Sequence, residues 1–305
     1  MFGGSASRIV LGIAIASGAL ATVATVGCGL RTAATSDLWK DVPPSTADAG
    51  AAIATDKASP DGGVDLPPGC AVDPASVVEM KTVAVPAGQF AMGCYATTDD
   101  ECRSDEKPQH AVTLADFAID QTEVTQAQYA LCVQAGKCPR PYCTWDACTS
   151  PDLPITCVDY LRAEAYCAYA GKRLPTEAEW EKAARSTDGR KFPWGNEPAD
   201  CDRSNLLGCG GVRPVGSLPA GASPYGALDM AGNVVEWVAD VYDEAYYATS
   251  PETDPRGPAA NAQGTSKYGG RGGGWRSEAV WDRTSSRDLY EVDYVKDSLG
   301  FRCAL

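Results

Sequence analysis

The stretch Gly171-Lys172-Arg173-Leu174-Pro175-Thr176-Glu177-Ala178-Glu179-Trp180-Glu181 decides the reading of this chain. Thr176 is placed to cap a helix, because its hydroxyl can accept the backbone N–H of Glu179 while the Glu179 carboxylate reaches back to the cap. That helix is expected to run to about Arg185. Glu177, Glu179 and Glu181 crowd its first turns, where carboxylates suit the positive end of the helix dipole. Gly171 closes the element before it, a helix expected from Tyr160 to Ala170 with Asp159 at its start. Upstream, Thr125 and Gln128 form another capping box ahead of Tyr129-Ala130-Leu131-Cys132-Val133, and Gly136 stops that helix. Alternating apolar positions predict a strand over Val83 to Met92 and a second over Ala111 to Ile119. The acidic loop Asp99 to Glu106 lies between them, with Asp99, Asp100 and Glu101 reading as solvated charge. Beyond Arg185 the chain is dominated by Gly, Pro, Trp and Tyr, and Phe192 to Asn196 and Gly221 to Tyr225 read as turns. Periodicity alone gives an α+β domain.

The chain opens with a short basic start, Met1 to Arg8, and an apolar, small-residue run from Ile9 to Gly27. That order is a secretory signal, and its Gly, Ala, Ser and Thr content is too polar for a good membrane span. Val26-Gly27-Cys28 resembles a bacterial lipobox, although Thr25 departs from the usual Leu. Residues 1–27 are thus expected as signal peptide, with Cys28 as the lipidated first residue of an exported, envelope-anchored protein. Residues 28–75 have almost no large apolar side chains and read as a disordered tether. Residues 76–305 suit one domain with a sizeable core. Of thirteen cysteines, removing Cys28 leaves twelve, an even set that in an exported chain reads as up to six disulfides. Cys94 and Cys102 bracket the acidic loop and could close it; Cys201 and Cys209 flank another short loop and are expected to bond. Spacing leaves the pairing of Cys70, Cys132, Cys138, Cys143, Cys148 and Cys157 open. A net charge of −14 argues against nucleic acid as a partner.

Three more runs follow the opening stretch in order: Gly232-Asn233-Val234-Val235-Glu236-Trp237, Arg271-Gly272-Gly273-Gly274-Trp275 and Gly300-Phe301-Arg302-Cys303. Together with it they resemble the signatures of the formylglycine-generating enzyme (sulfatase-modifying factor) family over about residues 76 to 305. The resemblance implies an irregular fold related to C-type lectins, disulfide-stabilised here, with Cys167 bonded to Cys303. It also implies an oxidase that converts a protein cysteine to formylglycine with oxygen and copper(I), the metal held by two cysteines five positions apart. The matching positions in this chain are Ser277 and Asp282. Copper(I) is a soft ion that prefers thiolates, so neither oxygen side chain suits it and no copper is expected. Val235 stands where the family commonly has a tryptophan in the substrate groove. A second branch of the fold uses iron held by histidines, and the single His110 cannot provide that site; a packing or hydrogen-bonding role is expected for it.

The resemblance further implies a calcium site at Asp229, Gly232, Val234 and Glu236, a tight loop offering the hard oxygens this ion takes. A second family calcium site would begin at Asn205 and Leu206, but the Cys201–Cys209 loop replaces its other ligands. The segment Trp275 to Asp288 matches the surface that receives substrate in the enzymes and ligand in lectin-like relatives. Arg276, Glu278, Trp281 and Arg283 are its candidate binding residues, since Trp and Arg are frequent anchors. Tyr242, Tyr246 and Tyr247 read either as a surface aromatic patch or as half-buried packing. The expected function is a non-catalytic module recognising a protein or glycan while tethered to the membrane by its lipid. The alternative is an oxidase of the family type, or the partner subunit of an active paralogue.

Overall fold

In the computed structural model, Gly63 and residues 65–97, 99–261 and 266–305 are described. Cys28 and the segments expected as signal peptide and most of the tether lie outside these residues. Each of the two long strands expected from the sequence is broken into a pair. β1 (Thr82–Val85) and β2 (Gly88–Met92) are separated by Pro86 and Ala87, and β2 opens on Gly88 with φ of +137°. β3 (His110–Leu114) and β4 (Phe117–Asp120) follow the acidic loop. β1 pairs antiparallel with β4, and β2 with β3, so a single ribbon is bent into two small sheets. Pro lacks the N–H that a continuous ladder needs, which explains the break.

Helices α1 (Gln126–Gln134), α2 (Tyr160–Tyr169) and α3 (Glu177–Arg185) start where the sequence puts them. Both capping boxes are complete: Thr125 with Gln128, and Thr176 with Glu179. Asp159 accepts the N–H of Arg162 at the start of α2. The remaining sheet has the order β7-β6-β5-β8, with β5 (Val235–Val241), β6 (Lys267–Arg271), β7 (Asp288–Glu291) and β8 (Leu299–Phe301). β5 runs parallel to β8 and antiparallel to β6. One apolar core joins α1 and α2 to β5 and β8 around Tyr129, Trp237 and Phe301; a second joins β1 to β4 to α3 around Trp180 and Ile119.

Six disulfides close the domain: Cys70–Cys148, Cys94–Cys102, Cys132–Cys138, Cys143–Cys157, Cys167–Cys303 and Cys201–Cys209. The first corrects the tether boundary. Cys70 is stapled to the body and Val72 is buried, so the last residues before 76 belong to the folded domain.

Every residue of α3 is buried, charged ones included, because each charge meets a partner. Arg271 donates to Glu181 at 2.6 Å, Arg185 donates to the same carboxylate at 2.7 Å, and Arg287 holds Glu177 at 2.8 and 3.0 Å. Burial alone would raise the Glu181 pKa, yet Arg271 and Arg185 together keep it below the usual value. The three glutamates thus lie at the helix start as expected, with Glu179 completing the cap, and all three are in addition buried and ion-paired. Asp99 likewise is buried, against Arg283 and Lys191, and not a solvated loop charge. The tyrosines pack inward: Tyr247 is buried beneath Arg287, whose guanidinium lies 4.2 Å from its ring, and the Tyr242 hydroxyl donates to Asp105 at 2.8 Å.

Asp240, at the end of β5, has no such compensation. Burial, reinforced by the neighbouring Glu177 charge, pushes it up to about 8, although the Glu177 N–H donates to it at 2.8 Å. The folded protein thus holds a proton there that the unfolded chain releases above about pH 4. Stability is accordingly full below that pH and falls as pH rises towards 8, by up to about 1.4 kcal/mol per unit. Urea titrations between pH 5 and 8 should show this fall, and Asp240→Asn should flatten it. An unchanged slope in the variant would assign the fall to other groups.

Candidate cation site and recognition segment

The loop leading into β5 turns through three left-handed residues, Asp229, Gly232 and Asn233, with φ of +55°, +80° and +63°. A side chain at Gly232 is impossible, since its Cβ would stand 2.4 Å from Ser204 Oγ and 2.7 Å from the Asn205 carbonyl. Asn233 is the organising amide. Its Oδ1 accepts from Asn205 Nδ2 at 3.1 Å and from the Arg213 N–H at 3.0 Å, and its Nδ2 donates to Glu123 Oε1 at 3.0 Å. Glu236, the first turned-in residue of β5, accepts from Arg302 on both oxygens, at 2.6 and 2.7 Å, and from the Trp180 indole at 2.8 Å. Asp229 accepts the Gly216 N–H at 2.5 Å.

The structure thus brings together Asp229, Gly232, Val234 and Glu236 on one loop, and adds Glu123, which the sequence reading missed. Glu123 sits in Thr122-Glu123-Val124-Thr125, directly before the α1 capping box, and no spacing rule marks it. It is wholly buried, and its Oε2 has no partner. Burial, then the charges of Asp229 and Glu236, hold its pKa well above the usual value, with Arg302 opposing. Burial also raises Asp229, against the Gly216 N–H, and raises Glu236, against Arg302 and Trp180. Three carboxylates therefore share one guanidinium. All donors are hard oxygens, and Glu236 Oε1 carries only one hydrogen bond, which leaves it a lone pair. This set fits a divalent cation of calcium type. A cleft of about 720 Å³ beside the segment 71–81 reaches this region through Gly216 and Leu228.

The segment after β6 begins with the turn Gly272-Gly273-Gly274. A Cβ on Gly273 would meet Asp282 Oδ1 at 2.2 Å. Ser277 Oγ accepts the Gly274 N–H at 3.0 Å, and its carbonyl accepts the Leu207 N–H at 2.9 Å. Asp282 is wholly buried; its Oδ2 accepts from Ser204 Oγ at 2.5 Å while Oδ1 has no partner. Burial holds this carboxyl well above its usual pKa, against the opposing hydrogen bond from Ser204. Arg276 and Glu278 are exposed, and Trp281 is half-buried with the Arg103 guanidinium 4.4 Å from its ring. Arg276 stacks over Trp275 at 4.0 Å and pairs with Asp297 at 2.7 Å. Arg283 corrects the expected binding surface. It is 0% exposed and locked by Glu106, at 2.6 and 2.8 Å, and by Asp99 at 2.8 Å, so it cannot meet a ligand. Val235 is buried, and His110 Nδ1 lies 3.0 Å from the Pro108 carbonyl with the ring edge-on to Tyr247.

With loop and segment in view, comparison with known proteins is informative. The model of the sulfatase-modifying factor enzyme 1-like domain matches residues 71–305. The chain belongs to this sulfatase-modifying factor family. It is 32% identical over 309 residues to a formylglycine-generating enzyme of Streptomyces coelicolor, a match covering 81% of this chain and 95% of that protein. It is 30% identical over 297 residues to the inactive C-alpha-formylglycine-generating enzyme 2 of Mus musculus, covering 77% and 87%. Among solved structures, PvdO from Pseudomonas aeruginosa superposes with a TM-score of 0.63 at 29% identity, covering 73% of this chain and 93% of that one. In this member of the sulfatase-modifying factor family, the segment after β6 is held by Ser204, Leu207 and the glycine turn. Ser204 was also missed from the sequence, since only the fold brings it beside a residue 78 positions later.

Proposed function

We propose that this protein is a non-catalytic recognition module of the sulfatase-modifying factor family, exported, anchored through a lipid on Cys28, and binding a protein or glycan ligand. One observation carries the loss of oxidase chemistry. All twelve cysteines from Cys70 to Cys303 are engaged in disulfides, so no thiolate among them is available to hold copper(I). The positions matched to the copper pair, Ser277 and Asp282, offer hard oxygens in place of sulfur, with Ser277 Oγ accepting from Gly274 and Asp282 Oδ2 from Ser204. A relative named as inactive supports the same reading. The binding face is assigned to Trp275, Arg276, Glu278 and Trp281, where two arginine-stacked indoles lie beside exposed charge. Such preordered aromatic groups lose little entropy on engaging a ligand.

The catalytic alternative rests on the 32% identity to a formylglycine-generating enzyme. Copper-loaded protein incubated with a cysteine peptide of sulfatase type separates the two readings. The expected outcome is no aldehyde above the metal-free control by mass; aldehyde formation would restore the oxidase. Anchoring has its own test, since the native mature protein should carry acylated Cys28 by intact mass, and an unmodified protein cut elsewhere would remove the tether from this account.

Calcium is proposed at the Asp229 to Glu236 loop as a structural ion. Binding only to the folded form contributes RT ln(1 + [L]/Kd), about 2.7 kcal/mol at a hundredfold excess over Kd. A chelator should lower the melting temperature, and Asp229→Asn should remove that sensitivity while sparing the Glu236–Arg302 pair. Identical melting curves with and without calcium would exclude the ion.

A further inference from the structure

We infer that Glu123 is a direct ligand of the proposed cation, the one carboxylate of the site that does not come from the 229–236 loop. This rests on reading that loop as a cation site. Glu123 enters from the end of β4, more than a hundred residues away in sequence, as the separation of 110 between its carboxylate and Asn233 records. Its side chain is 0% exposed, and only one of its two oxygens is used. Asn233 Nδ2 holds Oε1 at 3.0 Å and so fixes the direction of Oε2. That second oxygen receives no hydrogen bond, and Asp229 stands near enough for its charge to bear on Glu123.

Two ionised carboxylates are acceptors only, so the pair needs either a retained proton or a cation between them. An orphaned buried acceptor costs about 1–3 kcal/mol, more when charged, unless something fills the gap. Arg302 cannot do it, because its nitrogens donate to Glu236 and to the carbonyls of Asp120, Gln121 and Leu228. A water molecule would supply donors but no charge, leaving three carboxylates against one guanidinium. A divalent cation supplies the missing charge and accepts oxygens from both acids. Asn233 is itself fixed by Asn205 and Arg213, so Glu123 is presented in a set orientation, as ligands held by outer-shell hydrogen bonds are.

Glu123→Gln tests this in the full-length protein. The amide keeps the volume and keeps an oxygen for Asn233, and removes only the charge. Calcium affinity is read by calorimetric titration, and site occupancy by terbium luminescence sensitised through Trp180, whose indole contacts Glu236. We expect calcium binding weakened at least fivefold and terbium emission reduced, with the melting temperature in chelator unchanged or raised because the Glu123–Asp229 repulsion is gone. A purely structural Glu123 would show the reverse, a lower melting temperature in chelator with calcium affinity within fivefold of the native protein, and that result overturns the assignment. If the native protein itself binds no calcium, the cation reading of the loop falls and this ligand with it; native binding with an unaffected variant defeats only the role of Glu123.

Discussion

Arg302 is the group on which the remaining architecture depends. It stands one residue beyond β8, is wholly buried, and donates to Glu236 on β5, to the Asp120 and Gln121 carbonyls at the end of β4, and to the Leu228 carbonyl just before Asp229. One guanidinium thereby joins both apolar cores and the acid cluster. Removing such a charge from water costs several kcal/mol, and the cost is offset only because its donors find acceptors with good geometry. A lysine could not substitute, since three donors on a flexible stem cannot cover this fork of acceptors. The other buried arginines repeat the scheme: Arg271 and Arg185 on Glu181, Arg287 on Glu177, Arg283 on Glu106. An irregular chain with few long strands and helices is held by planar cations where a regular fold would use ladders.

What could be read from the sequence was local. The capping boxes at Thr125 and Thr176 depend on residues three positions apart, and both formed. Cys201 and Cys209 are close enough that ring closure is easy, whereas the Cys70–Cys148 link spans 78 residues and has no local signal. The β5–β8 pairing is parallel and joins residues more than sixty apart, so periodicity is silent about it. The charged residues were the hardest to place. Asp99 and Arg283 look exposed when read along the chain because they find each other only in three dimensions, across a separation of 184. Glu123 escaped for the same reason, a lone acid in a threonine-rich stretch whose surroundings are assembled by the fold.

The segment after β6 owes its shape to side-chain oxygens and backbone contacts. Asp282 and Ser204 share a short hydrogen bond, Ser277 is held at its hydroxyl and its carbonyl, and the Gly272-Gly273 turn admits Asp282 only because Gly273 has no Cβ. These contacts converge on the loop Ser204-Asn205, whose other side meets Asn233. The acid cluster and the half-buried indoles of the segment are therefore neighbours through a single short loop.

The Cys70–Cys148 bond has a mechanical consequence. β1 is an edge strand of four residues paired only with β4, and a pull applied from the chain before it would open that ladder one pair at a time, the weakest loading geometry for a sheet. The disulfide diverts the load. Traction arriving at Cys70 passes covalently to Cys148, in the stretch that the Cys143–Cys157 bond also crosslinks, so Ala71 to Lys81 and β1 lie off the line of force. A pull arriving through the chain before Cys70 is thus carried by sulfur bridges, and the β1–β4 ladder is left off its path.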